Sequence, residues 1–131
     1  MDKNEIARIF EDIATLLELK AANPFRIRAY RNGARAILSL DEDLETVVEE
    51  GRLTELEGIG DDLAEKITTL VTKRRLPFYE KLKKSIPKGM LEMMQVHGLG
   101  GKKIKVIYAK LKIKSISAMK EACLKYNKIS R

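Results

Sequence analysis

In this 131-residue sequence the stretch LEGIGDDLAEKI (56–67) raises the question of a catalytic amine at Lys66. An amine attacks as a nucleophile only when neutral, so near pH 7 its pKa must be pulled down by desolvation or by nearby cations. On a helix, Lys66 borders an apolar stripe through Leu63 and Leu70, which supplies partial desolvation. Asp62, one turn earlier, is spaced to pair with it, and Glu65 adds a second negative charge. These neighbours favour the charged, unreactive form, and a surface ion pair is the simpler reading. Other chemistries are thinner still. One histidine, His97, and one cysteine, Cys123, form no zinc or iron cluster and no disulfide. A Ser-His-Asp or Cys-His site would have to use a histidine beside glycines.

A second kind of site needs no reactive side chain. Gly58-Ile59-Gly60 and Gly98-Leu99-Gly100 are Gly-apolar-Gly triplets, each followed by an apolar helical stripe. Glycine tolerates backbone angles that a Cβ forbids, so two of them permit a very tight reversal. The central Ile59 or Leu99 is expected to point inward and pin the turn. The amides of the turn and of the next helix start, with their partial positive charge, then form an anion site. Such contacts hold a phosphate backbone without reading bases. The plain alternative is a corner in a helical bundle. Electrically the copies differ. Gly101, Lys102, Lys103 and then Lys105 follow the second turn, whereas Asp61 and Asp62 follow the first and repel a phosphate. The second hairpin is expected to grip better.

The elements that position these residues read as short helices. Ile6, Ile9, Phe10, Ile13, Leu16 and Leu17 recur at helical spacing in a first helix that Asn23-Pro24 breaks. Asn23 caps a second helix, Pro24 suits its first turn, and it runs to about Leu40. There Arg28, Arg31 and Arg35 share one face, while Phe25 is expected in the core and Tyr30 either in the core or stacking on a base or sugar. A third helix spans 41–51, and others cover 61–73, 77–84, 87–94 and 101–111, with a last one after Ser117. No period-two strand stands out, so the fold class is all-α. At an offset of 40, LEGIG (56–60) overlays VHGLG (96–100), and Ala64, Ile67 and Val71 overlay Ile104, Ile107 and Leu111. Residues 127–131 parallel 51–55, which predicts a chain cut just before a third hairpin.

Charge is divided sharply along the chain. Residues 1–72 carry 9 Lys/Arg against 16 Asp/Glu, and residues 73–131 carry 17 against 3, so the balance moves from −7 to +14. A lysine-dense half is an electrostatic footprint for nucleic acid, although a solvated surface gives the same composition. No signal peptide or membrane-length apolar run occurs, and the single cysteine makes a reducing cytoplasm the expected location.

Four segments together resemble the N-terminal region of X-family DNA polymerases, the DNA polymerase beta family, in its bacterial and archaeal branch. They are NPFRIRAYRNGARAI (23–37), GRLTELEGIGDDLAEKI (51–67), LPFYEKLKKSIPKGMLEM (76–93) and VHGLGGKKIKVIYAKL (96–111). The resemblance implies two small helical subdomains, 1–85 and 86–131, each carrying a helix-hairpin-helix motif. The first would bind the 5′-phosphate side of a DNA gap or nick, with Arg26, Arg28, Tyr30, Arg31 and Arg35 contributing, and the second would begin the part that contacts the primer side. It also implies a sodium or potassium ion held by main-chain carbonyls of Thr54, Leu56 and Ile59, and of Met94, Val96 and Leu99. Lys66 matches the lysine that removes a 5′-deoxyribose phosphate through a Schiff base, but a lysine often present at Asp62 and a histidine matched by Phe25 are absent here. The clustered aspartates of two-metal nucleotide transfer are missing, so magnesium chemistry would belong to a C-terminal polymerase domain. The function expected is non-sequence-specific DNA binding in repair. The rivals are a Lys66 lyase and a protein-interaction module docking through the acidic stretch 41–57.

Overall fold

The computed structural model describes the backbone of residues 1–111 and the side chains of residues 1–108. The helix expected after Ser117, the approach to a third hairpin at 127–131, Cys123 and the packing of Leu111 lie outside the described residues. Within them the chain is helical, with no strand.

Helix α1 is Lys3–Leu19, started by Asp2, whose side chain accepts a hydrogen bond from the Glu5 amide at 2.8 Å. Ile6, Phe10, Ile13 and Leu16 lie on one face and are fully buried. The helix stops earlier than the Asn23-Pro24 break predicts. Ala21 takes a left-handed conformation at φ 55°, and the amides of Ala21 and Ala22 close back onto Glu18 and Leu17. The asparagine then acts as expected: its side chain accepts from the Phe25 amide at 2.8 Å and opens α2, Pro24–Leu38. Replacing Asn23 with alanine is expected to cost about 1 kcal/mol, read as a fall of several degrees in the thermal midpoint.

Helices α1 and α2 form the main packed pair. Gly33 permits their close approach with the next layer, since a Cβ there would lie 2.8 Å from a Leu63 methyl and 3.4 Å from the Phe10 ring. Helix α3 is only Leu44–Glu49, shorter than the span expected, because Asp41–Asp43 form a bend that ends in its N-cap. A 3-10 turn, Leu53–Glu55, leads into the first hairpin, and α4, Asp61–Lys73, follows. Helices α5 (Pro77–Lys84), α6 (Lys88–His97) and α7 (Gly101–Leu111) complete the described chain. Helix α6 continues three residues beyond the expected Met94, until Gly98 ends it in the left-handed region at φ 65°.

The two glycine hairpins are held against one core. The α5 helix is tied to α1 by the Tyr79 hydroxyl, which donates to Asp12 Oδ2 at 3.0 Å. Burial first, and then Asp12, push the Tyr79 pKa up, so this hydroxyl stays protonated as a donor. Helix α7 packs on α1 and α6, with Ile104 and Ile107 buried. Phe25 corrects the core expectation: it is 75% exposed. Its place in the first turn of α2, directly after Pro24, puts it at the rim rather than on the inward face.

Candidate nucleic-acid interface

The first hairpin folds as the glycine spacing requires. Gly58 has φ +94°, a conformation L side chains rarely adopt, and its Cα faces the Asn32 carbonyl and Ala36 of α2. Ile59 is buried and anchors the turn. Its amide donates to the Leu56 carbonyl at 3.1 Å, and the Ala64 amide donates to the Gly60 carbonyl at 2.9 Å. Among the described residues nothing accepts from the amides of Gly60, Asp61, Asp62 and Leu63. These are the donors that a helix start leaves over. Gly60 has open space where a Cβ would stand.

The second hairpin repeats the pattern with one difference in burial. The Leu99 amide donates to Met93 at 3.3 Å and the Ile104 amide to Gly100 at 3.2 Å, and among the described residues nothing accepts from the amides of Gly100, Gly101, Lys102 and Lys103. Gly98 and Gly100 are open, and Leu99 is half-buried rather than a full anchor. Gly101, expected among the DNA contacts, is buried instead: a Cβ there would stand 2.6 Å from Glu18 Oε1. Lys102, Lys103 and Lys105 are exposed, and among the described residues none makes an ion pair.

The α2 arginines divide by environment. Arg31 is half-buried, its guanidinium 3.7 Å from both Glu11 and Glu18. Arg28 and Arg35 are exposed and have no carboxylate partner among the described residues; Arg28 lies 5.8 Å from the centre of the exposed Phe25 ring. Two depressions meet on this face. One is lined by Asn32, Arg35 and Ala36 with Leu56 to Gly58 of the first hairpin. The other runs between Arg28, Arg31 and Arg35 and the α7 lysines 102 and 105. The hairpins therefore flank a shared arginine face. Asn32, one turn from Arg28, extends the spacing of that face and was recoverable from it; Glu18 has no local signal.

Lys66 sits in a separate aromatic nook. Its Nζ donates to Asp62 Oδ1 at 2.7 Å and stands 4.8 Å above the Phe78 ring, which the Arg26 guanidinium also covers at 5.3 Å. Phe78 lies parallel to Tyr30 at 6.2 Å, and Tyr30 meets Phe10 edge-on at 5.4 Å. Tyr30 is thus a core residue, 1% exposed, and does not stack on a base. Its buried hydroxyl makes no hydrogen bond of full geometry among the described residues but lies close to the Lys66 amine; burial, the largest effect, raises its pKa, and Lys66 opposes that rise. Burial also pulls the Lys66 amine down, yet the Asp62 hydrogen bond and charge, with Tyr30, outweigh it and leave the pKa raised. The amine is therefore charged at neutral pH, the opposite of what a Schiff-base nucleophile requires. Asp62→Asn is expected to lower the Lys66 pKa, seen as an earlier inflection in an NMR titration of its side chain. An unchanged inflection would remove Asp62 as the cause.

The remaining expected positions are partly committed. The Leu56 carbonyl already accepts from Ile59, while the carbonyls of Thr54, Ile59, Val96 and Leu99 accept no hydrogen bond among the described residues. The acidic stretch is partly neutralised from within, since Arg52 pairs with Glu42 at 2.7 Å and Glu50 at 2.8 Å. Those hydrogen bonds hold the Glu42 carboxyl below its usual range. No group of His, Cys, Asp and Glu among the described residues suits a metal ion, and no helix there is long and apolar enough to cross a membrane.

A family model described as a helix-hairpin-helix domain matches residues 1–76. The chain is also similar to the DNA polymerase/3′-5′ exonuclease PolX of Bacillus subtilis (strain 168), with 35% identity over 123 residues, 94% of this chain. That match spans 21% of the relative's length. It agrees with the X-family resemblance carried by the four quoted segments.

Proposed function

This chain belongs to the helix-hairpin-helix domain family, and from that premise we propose that it is a non-sequence-specific DNA-binding module of an X-family DNA polymerase. It grips the sugar-phosphate backbone at gaps or ends, on the 5′-phosphate side, during repair. The observation that carries this reading is the pair of glycine turns, each presenting a row of unpartnered main-chain amides at a helix start. Amides and dipole attract any phosphate and touch no base edge, so the binding follows backbone geometry rather than sequence. The free carbonyls at the same turns are the positions where a sodium or potassium ion would bring the first hairpin, with its Asp61 and Asp62, to terms with a phosphate. DNA synthesis would rest with the rest of a longer protein.

Titration of a gapped duplex at several salt concentrations tests the reading. With roughly three to five phosphate contacts, log affinity should fall against log salt with a slope of about −3 to −5. Affinity indifferent to salt, or strong preference among base sequences, would remove it.

A further inference from the structure

We propose that the groove between α2 and α7 is a binding channel for one strand of nucleic acid, with Glu18 at its floor as the internal anion that strand phosphates displace. This rests on the DNA-binding reading and adds a site to it beyond the two hairpins. The groove joins Arg28, Arg31 and Arg35 on one wall to Lys102 and Lys105 on the other. Five cations thus face one carboxylate.

Unpaired cations are not confined to the groove; what it adds is their convergence from two helices, α2 and α7, on one depression. Arg52, Arg75 and Lys66 each hold a carboxylate at 2.6–2.7 Å. In the groove, Arg28, Arg35, Lys102 and Lys105 hold none among the described residues. Arg31 is 3.7 Å from its two glutamates, beyond hydrogen-bond length, so its guanidinium donors are not consumed. Like charges gathered across a cleft repel unless an anion enters. The anion has to be extended: residues 28 to 35 span about 10 Å along a helix rising 1.5 Å per residue, too far for one phosphate to reach. Walls from both sides suit a single sugar-phosphate strand rather than the broad face of a duplex. Glu18 occupies the place such an anion would take, packed against Gly101 at the start of α7 and near Arg31.

Fluorescence anisotropy with a labelled single strand and a labelled gapped duplex, at two salt concentrations, tests the proposal. Arg35→Ala with Lys105→Ala removes one exposed charge from each wall. For the single strand it should reduce the salt slope by about 1.4 and weaken binding about 20-fold near 0.1 M salt. Glu18→Gln should tighten binding several-fold. Lys83→Ala with Lys84→Ala, which lies outside the groove, should stay close to the original protein. Circular dichroism confirms that each variant is folded. Should the alanine pair bind within twofold of the parent while Lys103→Glu still weakens binding, the groove is overturned and the hairpin reading stands. If the unaltered protein binds neither DNA, both fall together.

Discussion

Reversing two charges after the second hairpin, Lys102→Glu with Lys103→Glu, is expected to weaken binding to gapped DNA about a hundred-fold near 0.1 M salt. Each lysine that meets a phosphate adds about 0.9 to the salt slope, so losing two contacts alone removes more than an order of magnitude. The reversal adds repulsion at a helix start whose amides otherwise attract the same phosphate. Both side chains are exposed and unpaired, so the fold should survive. The matching change at the first hairpin, Asp62→Lys, is expected to hold affinity or improve it, because it replaces a repelling carboxylate. Measuring both by anisotropy ranks the hairpins. A larger loss from Asp62→Lys would transfer the principal grip to the first hairpin.

The second large effect concerns stability. Phe10→Ala is expected to cost about 3–5 kcal/mol, measured as a shift in the urea midpoint. Phe10 is fully buried, meets Tyr30 edge-on and lines the gap where Gly33 lets α1 and α2 approach. Those neighbours are on helices and cannot collapse freely into the void. Domains of this kind carry about 5–15 kcal/mol in total, so the loss would be a large fraction. Phe25→Ala is the internal comparison. At 75% exposure its removal should change stability by no more than about 0.5 kcal/mol. Equal costs at the two positions would contradict the assignment of Phe25 to the rim.

What could be read from the residues was mostly periodic or local. Ile6, Phe10 and Ile13 at helical spacing, Asn23 before Pro24, and paired glycines 40 residues apart each carry a structural meaning within a few positions of themselves. The helix ends were harder. Ala21 takes a left-handed conformation with no residue type to announce it, and α6 outlasts its expected stop because Gly98, not Met94, sets the end. Phe25 was misplaced because an apolar residue in a first helical turn belongs to the periodic face by type, while the turn itself lies beyond the core. The least legible feature was the α2–α7 groove. Its walls lie about 70 residues apart in a chain where such proximity depends on how α1 packs against both helices.

At position 101 the second hairpin has no space for even a methyl group, whereas the equivalent position of the first repeat, Asp61, is exposed. The start of α7 is thus seated on α1 through Glu18, a contact the start of α4 does not share. On the proposed DNA-binding reading, a DNA molecule that reaches both turns by bending would resist at a cost of about one to several kcal/mol as an intact duplex. An interrupted duplex has a pliant joint. Under the function proposed above, substrates would then rank by mechanical compliance, with no need to inspect a single base.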